Sequence, residues 1–351
     1  MPYIQEPVIW PSRKCLSMNE PTRYNTHAPR YSDIQKADER IGKLVVKTPV
    51  LKSTELDDIT GCKLYFKCEN LQYGGAFKYR GASNVLLQLD RDTRSKGVAT
   101  HSSGNHAKAL SLVAKEQGCP AYIVMPKNAS RVKADAIIEY GAEVTFCEPD
   151  LISREETLKE VLQKTGAHLV HPYDDRRIIA GQGTCAKELI EETDTLSQIL
   201  VPVGGGGLAS GVCICTKALL PHAKVIGVEP SLADDARRSL EAGRLMESTY
   251  PDTIADGLRT SLSPLTFSIL KNGVFGISTA SEKSIYLATR LLHKHLGLTV
   301  EPSGAVGLAT LLDDASPHTG EDIGIILSGG NVDLSLFWDN FNNNHVDVNG
   351  R

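Results

Sequence analysis

The stretch Val201-Pro202-Val203-Gly204-Gly205-Gly206-Gly207-Leu208-Ala209-Ser210-Gly211 takes an apolar strand pattern into four consecutive glycines and then into a helical pattern. Glycines let the backbone fold tightly, so that successive N–H groups and the helix N-terminus point at one anion. The loop lacks the Lys-Ser/Thr of a P-loop and the spaced Gly-x-Gly-x-x-Gly of a dinucleotide fold. The stretch therefore predicts a phosphate site that does not hold a nucleotide. The alternative is a plain strand–helix turn.

Outward from this stretch, strand-like apolar runs alternate with helical patterns. The strand candidates are 63–67, 97–101, 121–125, 143–147, 199–203, 224–228 and 323–327. The helix candidates are 107–117, 132–140, 154–164, 181–192, 208–220 and 282–295. Such alternation predicts an α/β fold in which parallel-type sheets are flanked by helices.

Composition places the chain among ordinary globular proteins, since 41% of its 351 residues are hydrophobic and 23% are charged. A net charge of −4 gives no electrostatic argument for nucleic acid or for an anionic membrane. No apolar run approaches the roughly 20 residues of a membrane span, and the start lacks a secretory signal pattern. Eight scattered cysteines without a Cys-x-x-Cys pair indicate a reducing compartment, the cytoplasm by default. The proline-rich residues 1–30 are predicted to form an extended or disordered arm.

A second informative segment, 74–82, places Lys78 between small and apolar neighbours where a helix could begin. Burial would lower the pKa of this lysine and make its amine a nucleophile for an imine. Taken alone, a lysine at a helix start is more often a solvated surface charge.

Two further strand ends carry polar residues. The run Ser102-Ser103-Gly104-Asn105-His106 would suit a carboxylate through hydroxyls and backbone N–H groups, or it could be a simple N-capping turn. The run Ser328-Gly329-Gly330-Asn331 ends a buried strand and could present its hydroxyl to a ring atom. The alternative for that run is a strand-terminating turn.

At these segments, in this order, the sequence resembles the fold type II (tryptophan synthase β-like) enzymes that depend on pyridoxal 5′-phosphate (PLP). Within them it is most similar to serine racemases and short serine/threonine dehydratases. The resemblance covers about 31–336. It rests on a combination of motifs: Phe77-Lys78-x-Arg80-Gly81, Ser102 to His106, Ala180-Gly-Gln-Gly-Thr184, Gly204 to Gly207, and Ser328-Gly-Gly-Asn331.

The resemblance implies that Lys78 forms an imine with PLP and acts as the base on one face of the substrate. It also implies a set of cofactor contacts: Phe77 against the ring, Asn105 at the ring hydroxyl, Gly204, Gly205, Gly206, Gly207 and Leu208 around the phosphate, and Ser328 at the pyridine nitrogen. A neutral hydroxyl at that nitrogen leaves it less protonated than a carboxylate would.

The same resemblance assigns the substrate carboxylate to Ser102, Ser103, Gly104, Asn105 and His106. Ser103 is expected to face Cα from the side opposite the lysine. Two groups flanking one carbon allow proton removal on one face and return on the other, which is racemisation. One base alone, with loss of a β-hydroxyl, gives a keto acid and ammonia.

Substrate choice depends on two residues that the resemblance places near the cleft, Arg154 and Tyr173. Arg154 could meet the second carboxylate of an acidic substrate, or it could be a solvated charge at a helix start. The leading prediction is serine racemase with serine/threonine dehydratase activity, and the alternative is 3-hydroxyaspartate dehydratase or aspartate racemase. Cysteine synthase and a catalytically inactive PLP- or amino-acid-binding module are weaker alternatives.

A metal site is predicted in the segment 227–235. Glu229 and Asp235 offer hard oxygens on either side of a turn, which suits Mg²⁺, Ca²⁺ or Mn²⁺ rather than zinc. On spacing alone, a solvated acidic turn is the competing interpretation. The resemblance to serine racemase implies a divalent site to which Ala233 gives its carbonyl.

The resemblance further implies a homodimer and two domains, a large one of 31–96 plus 173–345 and a small one of 97–172. Mammalian serine racemase is activated by a nucleotide. At four positions matching that site this chain lacks the expected polar side chains, and it has Tyr73, Gly74, His295 and Gly297 there. Glu301 and Asn331 are retained, and the redox-sensitive cysteine is matched by Val132. We therefore expect weak or absent ATP activation and no such redox control.

Overall fold

The structure, a computed structural model, describes residues 28–338 except 130, 194, 248–250, 314–319 and 336. Almost all of the predicted arm lies outside the described residues. The strands within them are β1 Val50–Leu51, β2 Lys63–Lys67, β3 Val98–His101, β4 Ala121–Pro126, β5 Glu143–Cys147, β6 His168–Leu169, β7 Gln198–Pro202, β8 Lys224–Pro230, β9 Gly276–Ala280 and β10 Asp322–Ile326.

The helices complete the alternation predicted from the sequence. They are α1 Tyr31–Ile41, α2 Thr54–Thr60, α3 Lys78–Leu86, α4 Arg91–Lys96, α5 Asn105–Glu116, α6 Arg131–Glu139, α7 Leu151–Thr165, α8 Arg176–Glu192, α9 Gly207–Leu219, α10 Asp235–Ala242, α11 Pro264–Gly273, α12 Glu282–Leu296 and α13 Pro302–Asp313. In the described part of the chain, none of these helices has the length and hydropathy needed to cross a membrane.

Two sheets confirm the predicted α/β class. The larger has the strand order β1-β2-β10-β7-β8-β9, and the smaller has the order β5-β4-β3-β6. Every pairing is parallel except that of β1 with β2. Parallel strands need helical crossovers, and these bury both faces of a sheet. Strand β7 is accordingly buried along its whole length.

Separate apolar cores fill the two faces of the larger sheet. On one face, side chains of α8, α9 and α11 meet around Leu189, Val212 and Leu270. On the other, α12 and α13 contribute Leu292 and Val306. This three-layer packing holds β7, β8 and β10 rigidly in the middle of the molecule.

The smaller sheet has its own cores. Helices α3, α5 and α6 pack together through Leu86, Leu110 and Ile137, while Leu158 of α7 lies in a separate cluster. Helix α3 precedes β3 in the chain, yet its apolar side chains share this core. The division into domains at 97 and 172 stays a prediction.

The strand order reverses beside β7. The chain passes from β7 through α9 to β8 on one side, whereas β10 lies on the other side in parallel register, with Ile325 opposite Leu200. Ligands of open α/β sheets bind outside the carboxyl ends of the strands at such a reversal. The loop after β7 and the loop after β10 therefore meet where a ligand is expected.

Three helices begin two or more residues earlier than the sequence pattern predicted, and one of them, α7, starts at Leu151 and not at 154. Helix α8 starts at Arg176 and not at 181, because the Asp175 carboxylate caps it by accepting the Arg177 N–H at 2.7 Å. Helix α5 starts at Asn105 and not at 107. For α8 and α5, polar residues of the first turn had concealed the helical period.

Candidate active site

The glycine loop after β7 makes an anion site at the start of α9. Gly206 has φ +82°, a conformation that favours glycine, and it caps α9 without a side-chain hydrogen bond. A Cβ on Gly205 would lie 2.2 Å from the ring of Tyr173, so only glycine fits beneath that ring. The first N–H groups of α9 have no capping side chain to accept from them, which suits a phosphate.

Lys78 lies next to this loop. As the first residue of α3, it donates from Nζ to the carbonyl oxygen of Pro172 at 2.8 Å. Tyr173, which follows Pro172, is the residue that covers Gly205. Burial lowers the pKa of Lys78 to about 8, and the charge of Glu301 opposes that shift. About a tenth of the amine is therefore neutral, and nucleophilic, at pH 7, against less than about a thousandth for an ordinary lysine.

Phe77 and Ser328 lie on another side of the site that Lys78 and the glycine loop form. The Phe77 ring centroid lies 5.0 Å from the Lys78 amine. The backbone N–H of Phe77 donates to the Ser328 carbonyl at 3.1 Å. Ser328 is buried just beyond β10, beside the glycine loop. The convergence of the lysine, the glycines and the serine thus follows from adjacent strand ends.

Asn105, at the start of α5, is held at both ends of its amide. Its Nδ2 donates to Glu301 Oε1 at 2.6 Å, and its Oδ1 accepts from Asn331 Nδ2 at 2.8 Å. The Glu301 N–H donates to the Gly329 carbonyl at 3.0 Å, which places this group beside Ser328. A firmly oriented amide at this point can bind a ring substituent.

The loop 102–104 connects β3 to α5. The Ser102 hydroxyl accepts the Gly104 N–H at 3.3 Å, so part of its capacity is used within the loop. Among the described residues, Ser103 has no hydrogen-bond partner for its hydroxyl, and it is only partly buried. Ser103 is therefore available to a ligand in a way that Ser102 is not.

His106, predicted at the substrate carboxylate, has its ring turned to another partner. The ring is buried, and Nε2 lies 3.0 Å from the Val170 carbonyl, which can only accept, so Nε2 carries the proton and donates the hydrogen bond. Burial, and then the Lys78 charge, lower the pKa of His106 to about 3, so the ring is neutral. Any contribution of His106 to anion binding would come from its backbone N–H in the first turn of α5.

His101, His171 and Arg154 lie near the loop 102–104. Burial lowers the pKa of His101, and the neighbouring charge of Arg154 lowers it further. The His171 ring lies 6.3 Å from that of His101 and accepts the Asp174 N–H at 2.8 Å. In the described part of the chain, Arg154 Nε is buried without a hydrogen-bond partner.

The predicted metal ligands lie at the end of β8, next to the glycine loop. Glu229 accepts the N–H groups of Ala236 and Arg237 at 2.9 Å each, and burial raises its pKa to about 8. Asp235 is buried with no well-formed hydrogen bond to its carboxylate from the described residues, although the Leu262 N–H approaches it. Burial raises its pKa to about 6. Ala233 lies in the turn between them, its N–H bonded to the Pro230 carbonyl.

A buried ion cluster anchors the helix that carries Lys78. Arg80 donates to Glu69 and to Glu188 through two hydrogen bonds each, at 2.7 and 2.8 Å, and Lys67 donates to Glu188 at 2.6 Å. The cluster contains two cations and two anions, so its net charge is zero. Charges that are buried without such pairing would be strongly destabilising. The cluster ties α3 to β2 and α8, and so fixes the start of α3.

Sequence reasoning did not assign Pro172 or Lys108 to the site. Pro172 contributes only a backbone oxygen, which no side-chain pattern reveals. Lys108 donates to Asn331 Oδ1 at 2.6 Å. The available signal was its spacing of three residues from Asn105 on one helix face.

The residues present fit PLP. An uncapped helix N-terminus with a glycine cradle suits its phosphate, a buried amine of lowered pKa suits its aldehyde, and Ser328 and Asn105 offer neutral polar groups for its ring. Fold and site together define a PLP enzyme of fold type II.

Comparison with known proteins agrees with that class. The family model described as pyridoxal-phosphate dependent enzyme matches residues 41–329. The chain is 48% identical to beta-hydroxyaspartate dehydratase of Paracoccus denitrificans over 88% of its length and 98% of the relative. It is 49% identical to serine racemase of Arabidopsis thaliana, over 88% and 95% of the two chains. Maize serine racemase superposes with a TM-score of 0.86 at 42% identity, over 91% and 98%. The chain belongs to the pyridoxal-phosphate dependent enzymes.

Proposed function

We propose that this protein is a serine racemase that also dehydrates serine and threonine. The observation that carries the proposal is the Lys78 amine beside the glycine cradle, linked to it through Pro172 and Tyr173. The Ser103 hydroxyl, without a hydrogen-bond partner among the described residues, supports a second proton-transfer group. Bound PLP would supply the electron sink that makes the α-proton of an amino acid removable. The relatives named for serine racemase support the substrate class.

The proton chemistry belongs to Lys78 and Ser103. A lysine whose pKa is lowered to about 8 can take a proton near neutral pH and return it in the same cycle. Ser103, in the loop between β3 and α5, would hold or deliver a proton on the other face of Cα. Racemisation uses both residues, whereas loss of a β-hydroxyl uses Lys78 alone.

The start of α5 would bind the substrate carboxylate. The N–H groups of Asn105 and His106 lie in the first turn of that helix, where they have no intrahelical acceptor. The helix dipole favours an anion at this end. Carboxylate binding there would hold Cα between Lys78 and Ser103.

A second candidate function is 3-hydroxyaspartate dehydratase, with aspartate racemase as its racemising counterpart. One observation favours it: the buried Arg154 Nε without a hydrogen-bond partner among the described residues, close to His101 at the edge of the substrate loop. A buried guanidinium nitrogen normally finds an acceptor. The β-carboxylate of hydroxyaspartate would provide one, and the Paracoccus denitrificans relative supports this alternative.

We also propose a divalent cation between Glu229, Asp235 and the Ala233 carbonyl. Two buried carboxylates of raised pKa lie close together, and one of them lacks well-formed hydrogen bonds. Across the described ranges no group of three His, Cys, Asp or Glu side chains could hold a metal, so backbone carbonyls and water would complete the shell. Such oxygen ligands suit Mg²⁺, Ca²⁺ or Mn²⁺. The ion would stabilise the loop beside the glycine cradle.

We further propose that the protein is a homodimer and that it is located in the cytoplasm. The seven cysteines within the described residues are buried and form no disulfide bond, which supports a reducing compartment. Sedimentation of the purified protein would test the dimer.

Product analysis tests the proposed function directly. The enzyme is incubated with L-serine, L-threonine, threo-3-hydroxyaspartate and L-aspartate, and products are followed by chiral chromatography together with a keto-acid assay. The proposal predicts D-serine and pyruvate from L-serine. Turnover confined to hydroxyaspartate would favour the second candidate, and no turnover by PLP-loaded protein would indicate an inactive binding module.

A further inference from the structure

Four polar side chains form one continuous hydrogen-bonded row that ends at the cofactor site. Lys108 Nζ donates to Asn331 Oδ1 at 2.6 Å, and Asn331 Nδ2 donates to Asn105 Oδ1 at 2.8 Å. Asn105 Nδ2 then donates to Glu301 Oε1 at 2.6 Å. A cation thus stands at one end of the row, an anion at the other, and two amides lie between them.

The charged ends fix the direction of both amides. An ammonium can only donate and a carboxylate can only accept, so the Asn331 oxygen must face Lys108 and the Asn105 nitrogen must face Glu301. Turning either amide over would place two donors or two acceptors against each other. Hydrogen bonds that involve ionised groups are stronger than those between neutral groups. Lys108 and Glu301 therefore determine the orientation of the two amides between them.

The row also reaches the turn that precedes Lys78. Asn331 Nδ2 donates to the Gly74 carbonyl at 2.8 Å, and Gly74 has φ +69°. Gly74 and Asn331 are two of the positions that the resemblance matched to a nucleotide site. In this chain Asn331 bonds to Gly74 and also accepts from Lys108, so the described network is formed by the chain's own residues.

We propose that Lys108 is a positioning residue that orients Asn105 toward the cofactor ring through Asn331. The inference rests on the proposed function, which places Asn105 at the ring of PLP. Lys108 lies three residues after Asn105 on α5 and is partly buried, so it reaches Asn331 without touching the cofactor cradle.

Substitution of Lys108 in the holoenzyme tests the proposal. Lys108→Met removes the charge and keeps the aliphatic stem. Since hydrogen bonds to charged groups are worth about 1.5–3 kcal/mol, we expect roughly 10-fold weaker PLP binding, measured by titrating the visible absorbance band of the cofactor, together with a shift of that band. Lys108→Arg should restore most of the affinity. Lys115→Met, which removes an exposed lysine at the end of the same helix, is the matched control.

A double-mutant cycle tests the route through Asn331. If Lys108 acts through that amide, Lys108→Met combined with Asn331→Ala should bind PLP as Asn331→Ala alone does. Additive losses would overturn the relay. A Lys108→Met enzyme with wild-type PLP affinity and spectrum would also overturn it. An equal loss of thermal stability in Lys108→Met and Lys108→Arg would show that Lys108 has only a structural role.

PLP affinity and the absorbance band require no substrate. These readouts therefore stay valid if the racemase and dehydratase assignment fails, and the two failures can be told apart.

Discussion

Lys78 Nζ lies 2.8 Å from the carbonyl oxygen of Pro172, and the next residue, Tyr173, covers the glycine loop. This contact joins the two ends of the proposed cofactor site, one on α3 and the other at the start of α9. Because the acceptor is a backbone oxygen, it can receive a hydrogen bond but cannot neutralise the ammonium. The amine therefore keeps a lowered pKa in an oriented position.

Ser103 should separate the two reactions. Ser103→Ala removes the proposed acid–base group on one face of Cα, so racemisation should fall about 100-fold or more while dehydration falls less than 10-fold. Chiral chromatography and keto-acid release from L-serine measure the two rates in parallel. Ser102→Ala is the control and should change both rates similarly, since the Ser102 hydroxyl already bonds within the loop. An equal loss of both activities in Ser103→Ala would contradict the two-base arrangement.

Arg154 should discriminate between substrates. If its guanidinium pairs with a β-carboxylate, Arg154→Met should lower kcat/KM for 3-hydroxyaspartate by roughly 10- to 100-fold, the worth of a charge-assisted hydrogen bond. The same change should leave kcat/KM for serine nearly unaltered. Lys159→Met, which removes an exposed cation about one and a half turns further along α7, provides the comparison. Parallel losses with both substrates would show that Arg154 is structural.

The metal proposal predicts a stability change that depends on Asp235. Treatment with EDTA should lower the melting temperature, and added Mg²⁺ at 100 times its Kd should restore about 2.7 kcal/mol of stability. Asp235→Asn should abolish this response. Asp234→Asn should keep it, because Asp234 is paired with Arg237 and Arg238. A wild-type melting temperature that EDTA does not change would contradict the proposed metal site.

Reconstitution of the apoenzyme should report the pKa of Lys78. Only the neutral amine attacks an aldehyde, and the pKa is lowered to about 8. The rate of covalent PLP uptake should therefore fall about 10-fold per pH unit below pH 8 and level off above it. Stopped-flow absorbance follows the uptake. A rate that still rises to about pH 10, the range of an ordinary lysine, would be inconsistent with a desolvated amine.

The sequence predicted the fold class and the main site residues because both depend on local patterns. Gly206 has a φ of +82° that favours glycine, a Cβ at Gly205 or Gly207 would clash with Tyr173, and the strand before them is buried throughout. The contact of the His106 ring with Val170 was not predicted, since it joins residues 64 positions apart. The Arg80 cluster and the row from Lys108 to Glu301 likewise join distant segments. Such pairings are set by tertiary packing, and periodicity does not encode them.

The most direct test of the account is borohydride reduction of the purified holoenzyme followed by peptide mapping. The proposed site predicts that the phosphopyridoxyl group is found on Lys78 and on no other lysine. Lys78→Ala should fold, bind PLP reversibly and lack turnover. A label on any other lysine, or turnover in Lys78→Ala, would contradict the central role given to this amine.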